Sequence, residues 1–227
     1  MKPWQSRDNT DGCAKAALRQ RLLSQVPAPR VLDCFAGSGH LWRSCYQGLP
    51  YLGLDRKPSA DGRPLLRVDN RAYLRSADLS AWNVFDLDAY GSPWHQFLTI
   101  LHRRPVAIGE VIALALTDGL QFKARMGDLP HGMKPWVGIP VPMRIPCLGR
   151  HHAFLAGILT KTALARAGLR PLLALQAGNP KGTMRYYGLV LTNNTPPENK
   201  KANETNTLQG ATGAGKKPPA QHPDKTA

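Results

Sequence analysis

The chain is poor in aromatic residues and in acids: Phe, Trp and Tyr make up 7% of its 227 residues, and 15 Asp and Glu stand against 30 Lys and Arg. Its four cysteines, Cys13, Cys34, Cys45 and Cys147, form no C-x-x-C pair. Neither a zinc ribbon nor a disulfide framework is therefore indicated, no metal site is expected, and a reducing setting is the default. No apolar run approaches the roughly 18 residues of a membrane span; the longest, Val106 to Leu116, has Glu110 inside it. The opening MKPWQSRDNTDG lacks an apolar signal core. A cytoplasmic protein off the membrane is the expectation. Internal repeats are missing as well.

What is present suits one ordinary domain. From Asn193 onward the chain has a single Leu, no aromatic residue and abundant Asn, Thr, Gly, Pro and Lys, too little apolar surface to offset ordering entropy. Residues 1–192 are expected to form the domain and 193–227 a disordered polar tail. That tail holds five lysines and three acids, a net +2, so the body carries +13 of the chain's +15. An Arg-rich body of that charge suits phosphate and base-edge contacts, and nucleic acid is the expected partner. A soluble surface that is merely basic is the plain alternative.

Upstream of the tail, apolar runs alternate with helical patterns. Strands are expected at 30–35, 51–55, 65–69, 82–88, 106–118, 170–176 and 185–192, with helices at 39–47, 70–78, 93–103 and 153–167. Such alternation predicts an α/β fold, a mostly parallel sheet covered on both faces. The last two strands are joined by about eight residues containing Gly178, Asn179, Pro180 and Gly182, too few for a crossover helix, so they should close as an antiparallel hairpin. Between Gly119 and Arg150 the rhythm stops. That stretch holds five prolines with Lys123, Arg125, Lys134, Trp136 and Arg144, and is expected to be an insertion or lid loop. There Lys134, Trp136 and Arg144 are candidates for substrate contact through stacking and phosphate recognition, or else for packing on the sheet.

The acids are unevenly placed. Five of the body's twelve, Asp33, Asp55, Asp69, Asp86 and Asp88, fall at the ends of expected parallel strands, the edge at which open α/β sheets bind ligands. The first strand ends in Asp33-Cys34-Phe35-Ala36-Gly37-Ser38-Gly39, whose glycines admit a ligand close to the backbone. Asp55 follows about 20 residues later, the spacing at which an acid meets ribose hydroxyls. The third ends in Asp69-Asn70, suited to an adenine amine. The fourth ends in Asp86-Leu87-Asp88-Ala89-Tyr90-Gly91-Ser92-Pro93. A nicotinamide enzyme would want G-x-G-x-x-G, and here Gly37 and Gly39 are followed by Trp42. His151-His152 diverge by about 100° on a helix and find no third ligand, so they read as a solvated or helix-capping pair.

These motifs resemble the class I S-adenosylmethionine-dependent methyltransferases: DCFAGSG is similar to their first motif, Asp55 to their second, and the closing hairpin to their seventh strand. The resemblance implies a Rossmann-like, seven-stranded, mostly parallel sheet with S-adenosylmethionine as cofactor. Asp33 and the Ala36, Gly37, Ser38, Gly39 loop would hold its methionine moiety, Asp55 the ribose, and Asp69 with Asn70 the adenine. Asp86, two residues before Asp88 on the same side of its strand, is assigned to the cofactor beside an equal structural reading. DLDAYGSP further resembles the D-P-F-G-S-P motif of the tRNA guanine-N2 methyltransferases, with Ala89 in place of proline, and LTDGL the T-D that follows there. By that resemblance Asp88 and the Ala89 carbonyl would accept hydrogen bonds from a target amine, Tyr90 would stack on a flipped base, and Ser92 and Pro93 would touch substrate. Guanine N2 in tRNA or other RNA is the first expectation and adenine N6 or cytosine N4 in DNA the second. A non-catalytic nucleic-acid-binding module and a small-molecule methyltransferase are the remaining rivals.

Overall fold

The computed structural model describes residues 11–57, 61–119, 133 and 148–193, with side chains for all of these but 148–151. They belong to one compact unit, Met1–Thr195. Most of the expected insertion, including Lys134, Trp136, Arg144 and Cys147, and nearly all of the expected tail lie outside the described residues.

Seven strands form one sheet: β1 (Val31–Asp33), β2 (Tyr51–Asp55), β3 (Leu65–Arg67), β4 (Val84–Leu87), β5 (Val111–Asp118), β6 (Arg170–Gly178) and β7 (Arg185–Thr192). Their order is β3-β2-β1-β4-β5-β7-β6. The first five run parallel, while β7 is antiparallel to both β5 and β6. This is the Rossmann-like sheet with a reversed hairpin expected for a class I methyltransferase fold. Pro171 cannot donate to the ladder, and it sits in the edge strand β6 beside a register shift to Leu173, where a missing donor is tolerated.

Helices α1 (Gly12–Leu23), α2 (Asn70–Ser76), α3 (Trp94–Arg103) and α4 (Leu148–Arg166) cover the faces, joined by a π-helical turn at Trp42–Tyr46. Strand side chains alternate between faces, and two apolar clusters follow. Leu32, Phe85, Leu87, Leu114 and Leu116 meet Leu74 of α2, Phe97 and Ile100 of α3 and Leu159 of α4, with Met133 joining them. On the other face, Val31, Val84, Ala113, Ala115 and Val190 meet Leu18 and Leu22 of α1 and Tyr46 of the π-helical turn.

Helix α1 is absent from the sequence expectations. Its inward positions are Lys15, Leu18, Arg19 and Leu22, a helical i, i+3, i+4, i+7 spacing in which two of the four places are cationic, so apolar periodicity does not reveal it. Asp11 caps it, accepting from the Ala14 N–H at 3.0 Å, and Ala, Leu, Arg and Gln favour the helix. Three further expectations are corrected. The fifth strand begins at Val111 rather than 106, because residues 106–110 turn at Gly109 (φ +77°) with Glu110 accepting from the Ala107 N–H. The helix expected over 39–47 closes as a π-helical turn, and α4 begins at Leu148, five residues early and inside the expected insertion.

Arg19 anchors α1. Its Nε and Nη2 reach the two oxygens of Asp86 on β4 at 2.6 and 2.7 Å, and both side chains are buried. The remaining Nη1 donates to the Lys15 carbonyl, and the Tyr46 hydroxyl donates to Asp86 at 2.5 Å. Removing one partner strands the other charge, whereas replacing both by apolar groups does not. Arg19→Met is expected to lower the unfolding free energy by about 3–5 kcal/mol, with Arg19→Met/Asp86→Leu recovering much of it. Exposed Arg21→Ala on the same helix should stay within about 0.5 kcal/mol of the parent. Denaturant titration checks all three, and equal stability of the Arg19 and Arg21 variants would refute the anchor.

Candidate functional site

The carboxyl ends of β1, β2 and β4 converge with the loop Asp33–Gly39. Parallel pairing sets Asp33 beside Asp86 and Gly53, and the loop then peels away with its Cys34 N–H donating to the Asp86 carbonyl and its Ala36 N–H to the Leu54 carbonyl. Gly37 (φ +48°) and Gly39 (φ +76°) take backbone conformations that suit glycine. At Gly39 space is a second reason: an added Cβ would lie 1.7 Å from Nη1 of Arg63. The Arg63 side chain is wholly buried, donates to the Gly37 carbonyl and lies 3.2 Å from Asp61, and its Nε has no hydrogen-bond partner. Arg43 donates to the Ser38 carbonyl at 3.1 Å.

Asp55, expected at a ribose, clamps this loop. Its oxygens accept from the Gly37 and Lys57 N–H groups, each at 2.8 Å, and each oxygen retains a lone pair for a further donor. Asp69 caps α2, accepting from the Arg71 and Ala72 N–H groups and from Arg56. Arg56 foremost, together with those N–H groups, holds its carboxyl below the usual range. Asn70 is engaged at both ends: its amide donates to the Cys34 carbonyl at 2.6 Å and its oxygen accepts from Gln96 at 3.0 Å. It braces β1, α2 and α3 together.

At the end of β4 the neighbouring acids part company. Asp86 is fully buried by Arg19 and Tyr46, so the structure corrects its expected cofactor role to the anchoring role described above. Asp88 is 19% exposed and lies 2.7 and 3.0 Å from Nζ of Lys15 and 3.7 Å from Arg19. Ala89 is buried, with its N–H turned back to the Leu87 carbonyl, while Tyr90 is 91% exposed. The Gly91 carbonyl accepts from Gly119, tying this turn to the end of β5. Ser92 and Pro93 start α3: the Ser92 hydroxyl accepts from the Trp94 N–H, and Pro93 is the N-cap residue and is buried. His152, expected to be solvated or helix-capping, is likewise corrected: it lies within α4 and is 1% exposed with its Nε2 3.3 Å from Asp118, which also accepts from Trp94. Among the described residues no group of three His, Cys, Asp or Glu is placed to hold a metal, and no helix is long and apolar enough to cross a membrane.

Lys15, Arg19, Tyr46 and Tyr51 escape sequence reasoning. The signal available for the first two is the four-residue spacing of cations within an Ala- and Leu-rich segment behind Asp11. Around the ends of β1 and β4, Lys15 and Arg19 come together with Asp33, Asp86 and Asp88. Asp33 has only neutral donors, the Tyr51 hydroxyl at 2.9 Å and the Phe35 N–H at 3.0 Å. Burial, then the Asp86 charge, pushes its carboxyl up to about 8, with the two hydrogen bonds opposing and Asp88 adding to the rise. The folded chain therefore keeps a proton that the unfolded chain sheds near 3.8. The stabilisation from Asp33 is full below that value and is lost as pH rises toward about 8. Asp33→Asn should flatten the stability profile between pH 5 and 8, measured by denaturant unfolding; a variant with the parent's slope would disprove the neutral buried acid.

No family model matches the chain, and no curated protein does. Among solved structures it is similar to a putative methyltransferase, yhhF, of Escherichia coli, with 12% identity over 85% of this chain and 91% of that one and a TM-score of 0.48. It is also similar to the 1,6-didemethyltoxoflavin-N1-methyltransferase of Burkholderia thailandensis, with 16% identity over 80% and 78% and a TM-score of 0.45. Trm5 of Methanocaldococcus jannaschii, crystallised with adenosine, gives 15% identity over 79% of this chain and 48% of its own, with a TM-score of 0.44. The chain spans about half the length of that last protein, and these distant likenesses add nothing to the sheet order and side-chain geometry already described.

Proposed function

We propose that the protein transfers a methyl group from S-adenosylmethionine to an exocyclic amine of a nucleic-acid base, guanine N2 in tRNA or other RNA first. The observation that carries this reading is the end of β4, where an acid, a small residue and an outward aromatic, Asp88-Ala89-Tyr90, stand beside the glycine loop that Asp55 clamps. The donor set suits the cofactor. Asp33 is buried beside the Asp86 carboxylate with neutral donors from Tyr51 and Phe35, a setting that would favour either a proton on Asp33 or a cationic ligand beside it.

When bound, the cofactor supplies an electrophilic methyl group on a positively charged sulfur. Asp55 would present its remaining lone pairs to ribose hydroxyls, while Gly37 and Gly39 leave the backbone open to close approach. Asp88 and the Ala89 carbonyl would accept the two N–H groups of a target amine and turn its lone pair toward the methyl carbon. Lys15 keeps Asp88 in place, and Tyr90 offers its exposed ring to a base drawn out of its stack. This chemistry needs alignment and water exclusion rather than a covalent intermediate on the protein.

Radiolabelled methyl transfer into bulk tRNA and, separately, duplex and single-stranded DNA, followed by nucleoside analysis, tests the reading. Label in N2-methylguanosine is the expected result; label in N6-methyladenine or N4-methylcytosine moves the substrate to DNA, and no label in either polymer overturns the nucleic-acid reading. Asp55→Ala should weaken cofactor binding at least tenfold by calorimetry, whereas Asp88→Ala should keep that affinity and lose transfer. An active Asp88→Ala protein would show that this strand end does not handle the amine. Cofactor affinity should also rise from pH 6 to about pH 8 and then level off, as a cationic ligand displaces the Asp33 proton. The rise should be shallower for S-adenosylhomocysteine, whose sulfur is uncharged, and equal slopes would place the sulfonium away from Asp33.

A further inference from the structure

Beside the acidic strand ends lies a rim of opposite sign. Arg56 follows β2 and is 77% exposed, linked to Asp69 at the start of α2. Arg67 at the end of β3 donates to the Arg56 carbonyl at 3.1 Å. One helical turn apart on α2, Arg71 and Arg75 share a face and are both exposed. The Gln96–Asn70 hydrogen bond draws the first turn of α3 onto the first turn of α2, which brings His95, also exposed, next to those arginines.

Among the described residues Arg56 is paired with Asp69, while Arg67, Arg71 and Arg75 form no ion pair. Asp69 is occupied as the α2 cap and Arg56 partner, and Asp78, beyond the C-terminal end of α2, is bound to Ser80. The crowding is felt by His95, whose imidazolium is disfavoured by partial burial first and then by Arg71 and Arg75. Like charges held together at exposed helix positions cost stability, so the arrangement suits an external polyanion. The rim also leads to the site: α2 begins where β3 ends, and His95 follows Tyr90 by five residues.

We infer that Arg56, Arg67, Arg71, Arg75 and His95 form a track for a phosphodiester backbone, positioning a nucleic acid so that one base reaches Tyr90. This inference rests on the nucleic-acid reading above and adds to it the surface that the polymer follows. Each phosphate neutralised releases counterions, so the contacts are readable as a salt slope.

The test uses the full chain and fluorescence anisotropy with a 20-nucleotide single-stranded RNA and a 20-base-pair DNA duplex, across a range of salt. Arg71→Ala/Arg75→Ala, which leaves the α2 backbone and its Asp69 cap untouched, should reduce the slope of log K against log salt by about 2 and weaken binding by on the order of tenfold or more at low salt. Arg21→Ala/Lys161→Ala, removing the same charge from α1 and α4, should keep the parent's slope. Cofactor binding of both variants should match the parent, and the α2 variant should be at least as thermally stable, since it loses a like-charge pair. The arm in which the loss is seen, RNA, DNA or both, identifies the polymer. An unchanged slope for the α2 variant while the parent binds steeply overturns the track and leaves the reaction untouched, as does an equal loss in the control. A parent that binds neither polymer overturns the nucleic-acid reading itself.

Discussion

The candidate site depends on one buried ion pair. Arg19 on α1 and Asp86 on β4 meet through two parallel hydrogen bonds inside the sheet's covered face, and their remaining polar capacity goes to Tyr46 and the Lys15 carbonyl. A charge taken out of water is costly unless it is fully matched, and the bidentate fork of arginine matches a carboxylate closely. Once Arg19 is seated, the rest follows from helix geometry. Lys15 lies one turn earlier on the same inward face, and Asp88 lies two residues past Asp86, just beyond the end of β4. The second ion pair is thereby brought together, and the strand end that meets solvent at Tyr90 is set by the pair beneath it.

Charge is distributed accordingly. The protein is strongly basic, yet its acids concentrate at the parallel strand ends, where they serve distinct tasks: Asp86 anchors α1, Asp55 clamps the glycine loop, Asp69 caps α2, and Asp33 is buried among neutral donors. Of Asp86 and Asp88, only Asp88, just past the end of β4, is partly exposed. Beside this negative edge runs the arginine rim of β3 and α2. The electrostatic layout thus sets opposite charges side by side along one sheet edge.

Much of the fold is legible in residue order because it follows from local rules. Apolar runs broken by polar helical segments specify a parallel sheet, and the short link around Asn179 forces β6 and β7 to reverse. The strand-end acids and the glycines at 37 and 39 are readable for the same reason, since turn geometry and close backbone approach constrain residue type within a few positions. The limits are equally local. Helix α1 hides because Lys15 and Arg19 occupy positions that its pattern would fill with apolar residues. His152 reads as polar surface until Asp118, 34 residues away in sequence, is placed against it.

The sequence by itself thus determined the succession of strands and helices beyond α1, the glycine loop and the acids at the strand ends. Which acid is sealed in the interior and which stays partly exposed was decided only in three dimensions. Asp86 and Asp88 are chemically identical and two residues apart, and no local rule separates them. Their difference comes from pairing across 67 and 73 residues of chain with a helix whose own inward face is half cationic. Long-range charge pairing of this kind has no short-range periodicity to betray it, because its partners are chosen by the packing of elements and not by their neighbours in sequence.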